Sequence, residues 1–247
     1  MNQTTRWRGA TPVFGAMMLA AGLTSTAAAQ DGTTGEWRVH GGDSGYTRYA
    51  SLDQINTDTV NDLEIVWRRP AVDRSLRDRW PDLRYSNQLR STPVMVDGVL
   101  FATAGSRRAA VAIDAVTGET LWFHRMDEGE RGRRAPRVNS GRGVAYWEPD
   151  NGGQARIFYI TPGYQMFSLD ASSGRPVPGF GDEGVIDLTK NMRVPEGLDA
   201  VGTIGSSSPP LVVGDVLVVG SAQVSGRRHF SPTAIPGDVR GYSARTG

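Results

Sequence analysis

The sequence predicts an all-β protein built as a β-propeller, and three observations carry that expectation. Short β-rich runs bounded by Gly, Pro, Asp and Asn recur along the chain. One turn motif returns three times at wide spacing. No long amphipathic helix is written anywhere; periodicity is absent over windows of about 11–18 residues, apart from a weak trace around Thr57–Leu63.

The clearest runs are Pro93–Ala102, Arg156–Ile160 and Pro210–Val219. The first and third read as hairpins, because the two-residue turns Asp97-Gly98 and Gly214-Asp215 separate apolar strands. Behind the strands comes the repeat. It reads Ala112-Ile113-Asp114-Ala115-Val116-Thr117-Gly118-Glu119-Thr120-Leu121-Trp122, returns as Ser168–Val177, and begins again as Gly241–Gly247. Its glycines Gly118, Gly174 and Gly247 are 56 and 73 residues apart. In such a turn the Asp carboxylate accepts hydrogen bonds from the amides that follow, and Gly supplies the positive φ. The Trp after it can pack between neighbouring sheets. An ordinary β-sandwich has similar hairpins; three copies of one specific turn favour propeller blades with insertions.

Composition sets the outer bounds. With 247 residues the chain makes one large domain or two small ones, and 38% hydrophobic against 21% charged residues excludes a disordered chain. Gly 31 and Pro 14 match a turn-rich protein. Arg6 and Arg8 lie in residues 1–29, which hold no acid; without that segment 25 basic side chains face 26 acidic ones. So balanced a charge gives no case for nucleic-acid binding. Lys190 is the only lysine. Coding bias explains an arginine-dominated charge as well as anion recognition does, until particular positions are named. With no cysteine, the chain has no disulfide, thiolate metal site, Cys nucleophile, covalently attached c-type haem or lipidated amino-terminal Cys. Export stays open.

The amino terminus reads as an address. Arg6 and Arg8 precede an apolar stretch from Ala10 to Leu23, and Ala27 and Ala29 fit a small-x-small cleavage pattern before Gln30. Residues 1–29 are therefore expected to be a cleaved signal peptide, with an uncleaved anchor as the alternative. In a bacterium the mature chain, from near Gln30, would sit in the periplasm. No adjacent arginine pair points to the twin-arginine route. Gly247 falls inside the third copy of the repeat, and residues 30–247 would make about four blades. They are expected to be the amino-terminal part of a larger, incomplete ring, since half a propeller leaves sheet edges open.

Several segments resemble the PQQ-dependent (quinoprotein) dehydrogenases, nearer the glucose dehydrogenase side than the methanol dehydrogenase side. Gly35–Tyr49 followed by Leu52–Asn56 is similar to the family's opening, and Leu63–Trp67 to its first blade. Arg142-Gly143-Val144-Ala145-Tyr146-Trp147 resembles a family hallmark, as does Thr161-Pro162-Gly163-Tyr164 with Leu169-Asp170-Ala171 and Gly179-Phe180-Gly181. The resemblance runs from about Gly35 to the end. It implies an eight-bladed propeller that binds pyrroloquinoline quinone (PQQ), a flat tricarboxylated ortho-quinone. It also implies oxidation of an alcohol or an aldose sugar, with electrons passed to a membrane quinone or cytochrome c.

By the same resemblance four residues are expected at the cofactor. Arg142 would stand against it, Ser207 would offer a hydroxyl, and Arg90 and Ser221 lie where the family has polar contacts or a binding turn. Trp147 would line the pocket or pack between blades. There are departures. Zero cysteines removes the subtype that stacks a vicinal disulfide on the cofactor. Ser225 stands where metal-binding relatives carry Glu, so Ca²⁺ is expected in the complete protein but no ligand for it is named here. The family's Asn ligand and Asp base would lie beyond Gly247, and no catalytic residue is assigned. His40, His124 and His229 have no metal-binding spacing. Two other readings share the blade repeats: a non-catalytic envelope scaffold that binds proteins, and an inactive remnant.

Overall fold

The computed structural model describes residues 35–223 and 234–247; the expected signal peptide, Ser225 and His229 lie outside them. Two four-stranded antiparallel sheets and one three-stranded sheet follow each other along the chain. The first is β1 (Val94–Val96), β2 (Val99–Ala104), β3 (Ala109–Asp114) and β4 (Thr120–His124). The second is β5 (Ala145–Trp147), β6 (Arg156–Ile160), β7 (Gln165–Asp170) and β8 (Val185–Asp187). A short β9 (Ile204–Gly205) precedes the third, made of β10 (Leu211–Val213), β11 (Val216–Val219) and β13 (Arg240–Ser243). β12 (Ala222–Gln223) pairs with β9 as a two-stranded ribbon. Two six-residue helices, α1 (Arg74–Arg79) and α2 (Gly129–Arg134), are too short for any periodicity to announce them. The trace at Thr57–Leu63 is a single 3-10 turn, Val60–Asp62.

Both expected hairpins form in the expected register, with Val96 opposite Val99 and Val213 opposite Val216. Asp97 and Gly98 both take positive φ, 50° and 73°, as a tight turn matched to strand twist requires. The sequence spacing implied about four blades. Among the described residues the loops 125–144 and 188–210 lengthen each unit, and residues 35–93 add no strand, their one pairing with a sheet being a bridge from Trp37 to Met95. Leu63–Trp67, expected as the first blade, forms no strand.

The second sheet is buried on both faces, which is why Ile157-Phe158-Tyr159-Ile160 is apolar without alternation. Ile157 and Tyr159 pack toward the first sheet with Val94, Phe101 and Phe167. Phe158 and Ile160 pack toward the third with Met166, Leu217 and Val219. The first sheet's other face is covered by Val72, Leu83 and Trp80.

The repeated turn fixes the sheets against each other. Asp114 Oδ1 accepts from the amides of Val116 (2.9 Å) and Thr117 (2.7 Å), and Asp170 Oδ1 from that of Ser173 (2.7 Å). Ser243 Oγ takes this role in the third copy, accepting from Arg245 and Thr246 at 3.1 Å each. Burial alone would raise the Asp170 carboxyl, but hydrogen bonds from Ser172, Ser173 and Gln154 outweigh it and hold it at about 2. On this turn sits an indole from the preceding stretch of chain. Trp122 Nε1 donates to the Ala171 carbonyl at 2.8 Å, and Trp67 Nε1 to that of Ala115 at 3.0 Å. Trp67 thus does for the first sheet what Trp122 does for the second. The turn glycine must be bare as well as left-handed. At Gly174 (φ +69°) an added Cβ would lie 2.5 Å from the Trp122 ring, and at Gly118 2.7 Å from Trp67. Trp122 is 9% exposed; burying an indole to that degree contributes at most about 4–5 kcal/mol.

Gly174→Ala is expected to cost about 3 kcal/mol in chemical denaturation, from left-handed strain plus displacement of the indole. Gly98→Ala, at φ +73° with nothing within 4 Å of the new Cβ, isolates the strain alone and should cost about 1 kcal/mol. Equal losses at the two sites would show that the indole contact contributes nothing.

Candidate functional site

The first strand of each sheet is entered from the same end of the stack, and the three entering segments are bonded in series. Thr92 N–H donates to the Arg142 carbonyl at 3.2 Å, and Arg142 N–H donates to the Ser207 carbonyl at 2.8 Å. These bonds run from sheet to sheet, ahead of β1, β5 and β10. Gly143 makes the approach possible: its φ is +118°, and a Cβ there would meet the Thr92 carbonyl at 2.5 Å. Its amide donates to buried Thr103 Oγ1 at 3.1 Å. Ser140, also buried, accepts from the Arg90 amide (3.4 Å) and donates to the Gln88 carbonyl (3.0 Å). The glycine of the Arg142–Trp147 segment is therefore explained by backbone proximity before any ligand is invoked.

Above these segments opens a cavity of about 490 Å³. Arg90, Arg142, Ser207 and Ser221 all line it, so the four residues expected from the sequence meet in one place. Ser221 arrives by the return path, because β11 runs antiparallel to β10 and ends where β10 begins. Gln88, Arg137, Asn139, Ser206 and Ser208 complete the polar lining, and no described lining residue is an acid. Trp147 is not part of the wall. It is 5% exposed in the core between the second and third sheets, its Nε1 donates to Asp215 Oδ1 at 3.2 Å, and Arg156 and Arg245 lie over its ring. Of the two roles open to it, the structure gives it packing between blades.

The floor is braced by Arg108, which sequence reasoning missed. It is 3% exposed, and its guanidinium donates to four carbonyls: Ile160 at 2.8 Å, Asn139 at 3.3 Å, Arg137 and Ser206. Three of these carbonyls belong to cavity-lining residues. Burial lowers its pKa to about 10, opposed by the charge of Glu128 and by Tyr159. It stays a cation at neutral pH, a fixed positive charge beneath the cavity. Nothing local in the sequence marks it, since its partners are backbone atoms from 29 to 98 residues away.

Other ionisable groups serve the frame. Burial raises the Glu128 carboxyl, although Thr161 Oγ1, the Gly163 amide (2.8 Å) and the charges of Arg131 and Arg108 work against it. Arg131 grips Asp187 through both η nitrogens (2.8 and 2.6 Å), holding that carboxyl well below its usual range and tying α2 to β8. Burial drives His124 down to about 4; it bonds Tyr159 Oη at 2.9 Å between the first two sheets, a neutral packing residue. His40 lies 5.8 Å from the Tyr46 ring. Among the described residues no three His, Cys, Asp or Glu side chains gather as metal ligands would.

Gly143→Ala tests the stitching. The Thr92 and Arg142 amides are expected to lose hydrogen-exchange protection, while that of Ile157, deep in the second sheet, keeps it. Unchanged protection at Thr92 and Arg142 would mean that the close approach is not needed.

Comparison with known proteins agrees with this geometry. Residues 37–247 match the family described as "PQQ: Glucose/ethanol/alcohol dehydrogenase, beta-propeller domain". The glycerol dehydrogenase large subunit of Gluconobacter oxydans is 26% identical over 223 residues, covering 87% of this chain and 28% of that one. The 1-butanol dehydrogenase (cytochrome c) of Thauera butanivorans is 30% identical over 177 residues, covering 70% and 23%. The crystal structure of the quinohemoprotein alcohol dehydrogenase from Comamonas testosteroni superposes with a TM-score of 0.61 at 23% identity, over 86% of this chain and 26% of that one, which shows the shared fold. The chain spans about a quarter of the length of these relatives. A match over residues 37–247, on a stack of antiparallel sheets each ending in the repeated turn, means that the chain belongs to the PQQ-dependent glucose/ethanol/alcohol dehydrogenase β-propeller family.

Proposed function

We propose that the cavity is part of a PQQ site, in a protein that oxidises an alcohol or an aldose sugar and passes electrons to a membrane quinone or cytochrome c. One observation carries the reading. Arg90, Arg142, Ser207 and Ser221, widely separated in sequence, converge on one cavity of about 490 Å³, with no acid among its described lining residues. That volume is in the range of ligand sites, and guanidinium forks with hydroxyls are the donor set a planar polycarboxylate calls for. Arg90 and Arg142 are both exposed and line the cavity, and neither has a side-chain hydrogen-bond partner among the described residues.

Arg90 and Arg142 would hold carboxylates from two neighbouring entering segments, and Ser207 and Ser221 would orient the ring edge from a third sheet. Arg108 supports them by fixing the carbonyls of Arg137, Asn139 and Ser206, so that little ordering is left for the ligand to bring about. The bound cofactor supplies the two-electron acceptor for oxidation of a CH–OH donor. The described lining has no carboxylate for Ca²⁺, and no step is assigned to a metal. The substrates in the relatives' names, glycerol and 1-butanol, support an alcohol as donor. The pattern at Arg6–Ala29 supports export to the periplasm.

Equilibrium dialysis of the full chain against PQQ is expected to show one molecule bound per chain. Arg142→Ala should weaken it about tenfold or more, the loss of one charge-assisted pair. A chain that retains no PQQ would contradict the reading and favour a non-catalytic scaffold.

A further inference from the structure

Arg137 is the third guanidinium of the cavity wall, and its setting differs from that of Arg90 and Arg142. Those two are exposed, whereas Arg137 is part-buried and held by two hydrogen bonds, one at its backbone carbonyl and one at its side chain. Its carbonyl accepts from Arg108, its Nη2 donates to the Gln223 carbonyl on β12 at 2.9 Å, and its Cγ lies 3.5 Å from where a Cβ on Gly205 would stand. The side chain therefore lies against the β9–β12 ribbon. Its Nε–H is closed to solvent and has no acceptor among the described residues. That N–H is out of reach of the open cavity, so a ligand there would meet the guanidinium at its η nitrogens. No described lining residue supplies a carboxylate, and Arg108 adds a further positive charge below.

We infer that Arg137 is a third cationic contact to the bound cofactor and takes one of its carboxylates. Arg90, Arg137 and Arg142 then set three positive charges against the three carboxylates of a planar tricarboxylic acid. The two exposed guanidinium groups select for charge. Arg137, fixed by Gln223 and Arg108 before the ligand arrives, sets where the acid sits. The inference rests on the quinone reading of the cavity.

The test titrates the full chain with PQQ and with its trimethyl ester, which keeps the ring and loses the charges. Arg137→Ala is expected to weaken PQQ about tenfold or more while leaving the ester within about twofold. Arg133→Ala, exposed on α2 and outside the cavity, should change neither. Thermal midpoints without ligand check that the variants fold; should Arg137→Ala fail, Arg137→Gln carries the same comparison. Unchanged PQQ affinity in the variant would overturn the inference. So would equal losses for PQQ and ester, which would mean that Arg137 shapes the wall without meeting a carboxylate. A wild-type chain that binds neither probe would sink the quinone reading itself, and the inference with it.

Discussion

The packing of the first two sheets depends on the seating of an indole on the next sheet's Asp-Ala-x-x-Gly turn. A β-sheet edge has no inherent distance from its neighbour, and apolar faces alone allow sliding. The Trp122 donor to the Ala171 carbonyl, with the ring against bare Gly174, removes that freedom. With the first two sheets fixed, their entering segments come within one hydrogen bond of each other, Thr92 to Arg142. The second and third sheets meet differently. Pro178 stands four residues after Gly174 where Trp122 stands four after Gly118, and Gly247 faces Ile186 instead. There the Gly181 amide donates to the Thr246 carbonyl at 2.8 Å, and the next link, Arg142 to Ser207, still closes.

The cavity is a by-product of that stitching and inherits its rigidity. Its walls are the backs of turns that must exist for the sheets to pack. Its charge comes from arginines that those turns present. A buried Arg108 without a paired carboxylate would be a liability in an ordinary core. Here four carbonyls solvate it, and each belongs to a segment that has to be held. The same residue thus braces the floor and contributes a field that favours an anion above it.

Much of this was legible beforehand, and the pattern of what was not is physical. The hairpins at Asp97-Gly98 and Gly214-Asp215 follow from turn chemistry written in adjacent residues. The repeat could be read because the Asp, the Gly and the Trp each perform a local task; that Ser243 Oγ takes the Asp role in the third copy is shown by the structure. Arg90, Arg142, Ser207 and Ser221 came from resemblance, and the fold brings them together. Arg108 and Arg137 were missed because their partners are backbone carbonyls of distant segments, which leave no trace in composition or spacing. Loops such as 125–144, which carry cavity residues instead of strands, lengthen each unit beyond its sheet. The apolar run at β10 and β11 looked like that of β6, yet Leu211 (62% exposed) and Val213 (57%) face outward, and only the opposite face is buried.

The central claim is that three consecutive sheets present one anion-binding wall. Its most direct test is a crystal structure of the chain grown with PQQ. A flat ligand is expected in the cavity, with carboxylate oxygens within hydrogen-bond distance of the Arg90 and Arg142 guanidinium groups and with Ser207 at its edge. Density for PQQ elsewhere, or an empty cavity in crystals that hold PQQ at another site, would contradict it.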